Sequence, residues 1–209
     1  MKIYAAADIH GAQYRLNLIL DQIQAHKPDI VVICGDITQF GPGEAAKIFL
    51  NQIPVKTFAI PGNIDSVDVG VAISESKAEN IDRKRVLQND LSFIGIGGDI
   101  PQPLSSLEIN DTGFMKPFDL VLDQNSVLVT HVPPFRTMDR AFIGHHIGNK
   151  DLRTLIDSHR PRLVLCGHVH EDPGFTVVGS TTVVNCSLGK RTEGALIDVN
   201  DTISVQILD

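Results

Sequence analysis

Seven residues of metal-binding type fall at five points where an apolar stretch of chain gives way to polar residues: Asp8 and His10, Asp36, Asn63, His131, and His168 with His170. Each point follows a short run with the character of a buried β-strand. In open α/β sheets ligands sit beyond the carboxyl ends of the strands, so five such ends on neighbouring strands would bring these side chains to one crevice. The i, i+2 spacing of Asp8 with His10, and of His168 with His170, puts both members of a pair on one side of an extended backbone, where they can chelate. Gly35, Gly62 and Gly167 stand immediately before Asp36, Asn63 and His168. They remove side chains where the chain must turn sharply and a ligand must come close.

The donor set is carboxylate and amide oxygen with imidazole nitrogen and no thiolate. That mixture suits Mn, foremost, or Fe, Zn, Ni or Co, better than Ca or a structural Cys-bound zinc. It is large enough for two divalent ions. Asp36 has two oxygens and could bridge cations about 3.5–4 Å apart, a spacing suited to holding an attacking hydroxide together with the phosphoryl oxygens of an ester. Singly, each residue has an ordinary explanation: an aspartate caps a helix or makes a turn, and a histidine hydrogen-bonds in a loop. Seven of them in five ordered blocks do not. Cys34 and Cys166 precede two of the blocks but point to the opposite strand face, so both are expected in the core. His26 and His159 read as helix-end residues and His145 as loop packing, whereas His146 fits loop packing and substrate contact equally.

The elements that must position these residues begin as strand, helix, strand: 2–7, then 12–25 with Leu16, Ile19, Leu20 and Ile23 at helical spacing, then 30–34. The helix ends at His26-Lys27-Pro28, where proline forbids continuation. A helix over 43–51 leads to a strand over 55–60, and the pattern from 66 to 83 fits no element well. Strands follow at 85–88 and 91–95, then a Gly/Pro/Ser-containing stretch, 97–106, read as a mobile surface loop that could cover a site. A strand at 127–130, a helix at 150–158 and a strand at 163–166 precede short strands at 175–178, 182–184, 195–199 and 203–207, read as a β-meander. The stretch 25–29 echoes 158–162, each a helix end and turn before a buried strand.

A chain of 209 residues accommodates one α/β domain, here taken as 1–209, and 43% hydrophobic residues supply its core. The start of the chain is a strand-like run and not a basic-then-apolar leader, and no apolar run approaches a membrane span. Three widely spaced cysteines suit a reducing compartment, so the expected location is cytoplasmic. A formal charge of −7 argues against extended duplex nucleic acid as a ligand. A small phosphate ester, with a nucleotide-derived one included, fits better, and a homo-oligomer is compatible with the sequence.

Asp8-Ile9-His10, Gly35-Asp36, Gly62-Asn63-Ile64-Asp65, Thr130-His131 and Gly167-His168-Val169-His170 resemble the five ordered blocks of the calcineurin-like metallophosphoesterases. The resemblance implies an α/β fold, a four-layer αββα sandwich of two mixed β-sheets packed face to face with helices on both outer faces. It implies a first metal on Asp8, His10, Asp36 and His170 and a second on Asp36, Asn63, His131 and His168, with a bridging hydroxide as nucleophile. Residues 144–149, with Glu171 and Asn185, are similar to small single-domain prokaryotic members. The implied activity is metal-dependent hydrolysis of a phosphoric ester, a diester in preference to a monoester, with Asp36, Asn63 and His146 as catalytic residues. Ile64 departs from the pattern, since many members carry a proton-donating histidine there; His146 would then supply the hydrogen bond to phosphate. Asp65, without that histidine to orient, is left with a turn-stabilising role as the alternative. The other reading that Ile64 suggests is a catalytically weak or inactive scaffold of this fold that works through protein contacts.

Overall fold

Strands buried on both faces occupy the middle of a sandwich: β1 (Lys2–Ala6), β2 (Ile30–Cys34) and β3 (Thr57–Ile60) in one sheet, β7 (Ser126–Thr130) and β8 (Leu163–Cys166) in the other. Their near-continuous apolar character is what parallel strands covered on both sides require. The computed structural model describes residues 1–98, 122–142, 144–189 and 191–209. Most of the loop read at 97–106 lies outside these residues.

With β4 (Glu79–Asn80), β11 (Ala195–Val199) and β12 (Ile203–Ile207), the first sheet runs β12-β11-β1-β2-β3-β4. The second, completed by β5 (Arg85–Gln88), β6 (Leu91–Ile96), β9 (Gly174–Val178) and β10 (Thr181–Asn185), runs β5-β6-β7-β8-β10-β9. In each, four parallel strands are joined by antiparallel ones, β11 and β12 in the first and β5 and β9 in the second. Both sheets are therefore mixed.

Side chains of the two inner faces, among them Ile3, Val32, Phe58, Phe93, Val129 and Leu165, form a core between the sheets. Three helices cover the outside of the first sheet: α1 (Gln13–His26), α2 (Gly43–Leu50) and α3 (Val67–Ser74). The helix α4 (Lys150–His159) lays Leu152, Leu155 and Ile156 against Ile94, Leu128 and Val164 on the outside of the second. The chain thus adopts the αββα sandwich. Its three cysteines are free and buried, Cys34 and Cys186 between the sheets and Cys166 beneath α4.

The echo in sequence is one of turn geometry. Lys27 after α1 and Arg160 after α4 both adopt the left-handed conformation, at φ 49° and 50°, and each returns its amide to a carbonyl of the last helical turn. A proline follows each. Two readings need correction. The unplaced stretch 66–83 holds α3 and β4; its Val and Gly content weakens the local helical signal, and burial of Val69, Ala72 and Ile73 overrides it. The C-terminal strands are not a meander, because β9 and β10 pair within the second sheet and β11 and β12 within the first.

Phe58 and Phe93 meet edge to face across the inter-sheet core, ring centroids 4.9 Å apart. Phe58→Ala is expected to cost about 3–5 kcal/mol in urea unfolding. A loss below about 1 kcal/mol would mean that the sheets do not rely on this contact.

Candidate metal centre

All seven candidate ligands lie just past the carboxyl ends of β1, β2, β3, β7 and β8. The loops are stitched together by backbone hydrogen bonds, Asp8 N to Gly35 O at 3.0 Å, His10 N to Asp36 O at 2.9 Å and Gly167 N to His131 O at 2.9 Å. The crevice is therefore walled by three strand ends of one sheet against two of the other, not by five neighbours in a single sheet.

Two groups of donor atoms face each other. In the first, Asp8 Oδ1 lies 3.2 Å from His170 Nε2 and 3.9 Å from His10 Nε2, and the two imidazole nitrogens are 3.2 Å apart. Despite these approaches, Asp8 Oδ1 is buried and has no hydrogen-bond partner of good geometry among the described residues, and the same holds for His10 Nδ1. In the second, His131 Nε2 stands 2.8 Å from Asn63 Oδ1 and 3.3 Å from Asp36 Oδ2, and His168 Nδ1 stands 3.0 Å from Asn63 Oδ1. His131 Nδ1 is bonded to the Cys34 carbonyl at 2.8 Å, which can only accept. A neutral His131 thus turns a bare Nε2 toward two further acceptors. Lone pairs aimed at a common point are held together by a proton or a cation, so the residues fit a divalent metal.

Each carboxylate spends one oxygen on the backbone and keeps the other for the centre. Asp8 Oδ2 accepts from the His168 amide at 3.1 Å, and Asp36 Oδ1 from the Ile64 amide at 3.1 Å. Asp8, Asp36 and His131 also bring donor atoms within 4.8 Å of one another, so Asp8 belongs to the first group and to a triad that reaches the second. A bridge through both oxygens of Asp36, as read from the sequence, competes with the Ile64 bond; the inward oxygen is Oδ2.

The backbone is not extended here. Asp8, His10, Asp36 and His168 all adopt positive φ, at 65°, 52°, 51° and 70°. Non-glycine residues seldom sit there, and such strain persists where the surroundings over-determine it. The consequence for the paired residues differs: Asp8 and His10 share the first group, while His168 and His170 part, one to each group. Gly62 is required by contact with protein and not with a ligand, since a Cβ there would lie 2.0 Å from Asp36 Oδ1. Asp65 is the turn stabiliser, accepting from the amides of Ile37, Thr38 and Gly62 and so tying the β2 and β3 loops together.

Charge follows geometry. Burial pushes the Asp8 carboxyl up, but the adjacent His170 and His131 outweigh it and hold its pKa below the usual value. Burial pushes His131 down, and Asp36 and Asp8 reverse this, leaving it above the ordinary imidazole range. His170 is raised, chiefly by Asp8. In His10 burial prevails over the two carboxylates and the pKa is lowered.

The family model of the calcineurin-like phosphoesterases matches residues 1–172, which include every block of the crevice. The chain belongs to this family. The chain is 32% identical over 200 residues to an uncharacterised protein of Methanocaldococcus jannaschii, covering 90% of this chain and 88% of that one. It is 29% identical over 199 residues to a probable glycerophosphodiester phosphodiesterase of Arcobacter nitrofigilis, covering 80% of this chain and 65% of that protein. The crystal structure of a Thermus thermophilus protein superposes with a TM-score of 0.75 at 15% identity, over 100% of this chain and 99% of that one.

Beyond the crevice, the phosphoesterase holds His146 through Nδ1, 2.6 Å from Oδ1 of the fully buried Asp139. Both line a cavity of about 250 Å³ with Arg136 and Arg140. Asn185 ties this segment to the β8 loop, donating to the carbonyls of Met138, Val169 and Asp172. Ile64, half-buried, offers the centre an amide and no proton. Sequence reasoning missed Asp139, which carries no local signal, and Arg15, which donates through Nη1 to the Asp8 carbonyl. The position of Arg15 at the first turn of the helix after Asp8-Ile9-His10 was the available clue.

Without metal, the stability contributed by His131 and His170 is fully present below the unfolded imidazole value of 6.5 and lost as pH rises through their raised folded values. Half-buried His10 opposes them. Asp8 acts at the acid end, contributing above its unfolded 3.8 and failing as pH falls through its lowered folded value. A divalent ion needs the nitrogens bare, so the rise in Tm on adding Mn²⁺ should grow between about pH 6 and 8, while Tm in EDTA falls. A metal-induced shift independent of pH would contradict this.

Proposed function

We propose that the phosphoesterase is a two-metal phosphodiesterase. Asp8, His10 and His170 with Asp36 would hold one divalent ion, and Asn63, His131 and His168 with Asp36 the other; the mixed oxygen and imidazole donors favour Mn. The observation that carries this reading is the pair of facing donor groups, with bare lone pairs converging in a partly exposed crevice. Bound ions would polarise the phosphoryl oxygens and lower the pKa of water, supplying a nucleophile near neutral pH. Asp36 and Asn63 fix the second group from two adjacent strand ends. The likeness to a probable phosphodiesterase supports a diester over a monoester.

His146 is the candidate donor to the phosphate or to the departing oxygen. With Nδ1 held by Asp139, Nε2 is the nitrogen left to face a substrate in the neighbouring cavity. A small phosphate ester remains the substrate class. Among the described residues no helix is long and apolar enough to cross a membrane.

Chelated and Mn²⁺-reloaded protein is expected to cleave an activated aryl phosphodiester faster than a matched monoester, and Asp36→Asn to fall to background. Equal rates in the two proteins would refute the proposal. His146→Ala should slow esters with poor leaving groups by about 10²–10⁴-fold and p-nitrophenyl esters much less; unchanged turnover on both would remove His146 from the mechanism.

A further inference from the structure

A groove of about 570 Å³ runs between the start of α1 and the turn that follows β10, lined by Tyr14, Arg15, Leu18, Gly189, Arg191 and Thr192 among others. Both walls are continuous with the metal centre. On one, Arg15 Nη1 donates to the carbonyl of Asp8. On the other, a Cβ at Gly189 would lie 3.6 Å from the His170 carbonyl, and Leu188 N donates to Ala7 O at 3.1 Å. The groove therefore opens beside the Asp8, His10 and His170 group.

We infer that this groove binds the organic arm of the ester, and that the arm carries a planar aromatic ring of nucleobase type. This rests on the phosphodiesterase reading for the place of the phosphate. The volume is that of pockets enclosing drug-sized ligands, about 300–1,000 Å³, and far exceeds what a glycerol arm fills. Tyr14 is 62% exposed and lines the groove. Its orientation is fixed in advance: Arg15 Nε donates to Tyr14 Oη at 3.0 Å and the guanidinium carbon sits 5.7 Å from the ring centroid. A held ring loses little freedom when a base stacks on it. Arg15 and Arg191 supply guanidinium groups for phosphate oxygens or a second ring face. Glu193, which accepts a hydrogen bond from Gln22, and Asp209 set two carboxylates on the same groove as these guanidinium groups.

Tyrosine fluorescence isolates the groove, because Tyr4, the other tyrosine, is fully buried. Adenosine 5′-monophosphate and glycerol 3-phosphate are titrated into the full chain by fluorescence and calorimetry. The expected result is quenching by the nucleotide and binding about tenfold tighter than glycerol 3-phosphate, with Tyr14→Ala removing the difference and Tyr14→Phe keeping it. Equal affinities, no nucleotide binding, or an unaltered preference in Tyr14→Ala would overturn the inference. Turnover of an aryl diester, measured in parallel, separates the two claims. Turnover with equal affinities rejects the groove assignment alone, whereas Tyr14-dependent preference without turnover keeps the groove and rejects the hydrolase reading.

Discussion

Asp8 and Asp36 are almost wholly removed from solvent at the meeting of two sheets. Burying two carboxylates side by side is among the most expensive arrangements a protein interior can hold, and it persists only when positive charge answers it. Without metal the answer is partial: His131 and His170 take up protons more readily than free imidazole. Asp8 Oδ1 still lacks a hydrogen bond among the described residues. The rest of the molecule is organised around this local deficit of positive charge. The four-layer sandwich supplies a rigid rim, and the oxygens not turned inward are tied to the amides of His168 and Ile64.

The local backbone carries the same bias. Four of the candidate ligands adopt left-handed conformations that a non-glycine residue avoids in ordinary chain, and hydrogen bonds between neighbouring loops hold them there. The strain places each side chain at a turn immediately after a fully packed strand, so its position is inherited from the core. Stability and chemistry share the same scaffold at this point. Asp65 illustrates the economy: three backbone amides from two loops converge on one carboxylate that is not itself a candidate ligand.

Much of this was legible in the sequence because strand ends are marked twice, by an apolar run and by the polar residue that stops it. Asp8, Asp36, Asn63, His131 and His168 could each be placed at a strand end on that basis, and the βαβ opening pointed to an α/β fold. Which sheet each strand joins was not legible, since pairing is non-local: β10 reads like β11, yet β10 pairs with β8 and β11 with β1. The division of His168 from His170 was implied by the family resemblance but not by the spacing of the two residues. An i, i+2 spacing predicts a shared face only on extended backbone, and His168 at φ 70° is not extended. The helix α3 escaped because its valines and glycine are poor helix formers whose burial against the first sheet is a tertiary effect. Asp139 and Arg15 act through contacts distant from any motif.

We propose that two sets of side chains, joined by buried carboxylates, form a pair of adjacent cation sites. Diffraction from crystals grown with Mn²⁺, collected for anomalous signal, is the sharpest test. Two peaks are expected about 3.5–4 Å apart, one among Asp8, His10 and His170, the other among Asn63, His131 and His168, with Asp36 between them. No peak in the crevice, or a single peak bound elsewhere on the surface, would contradict it.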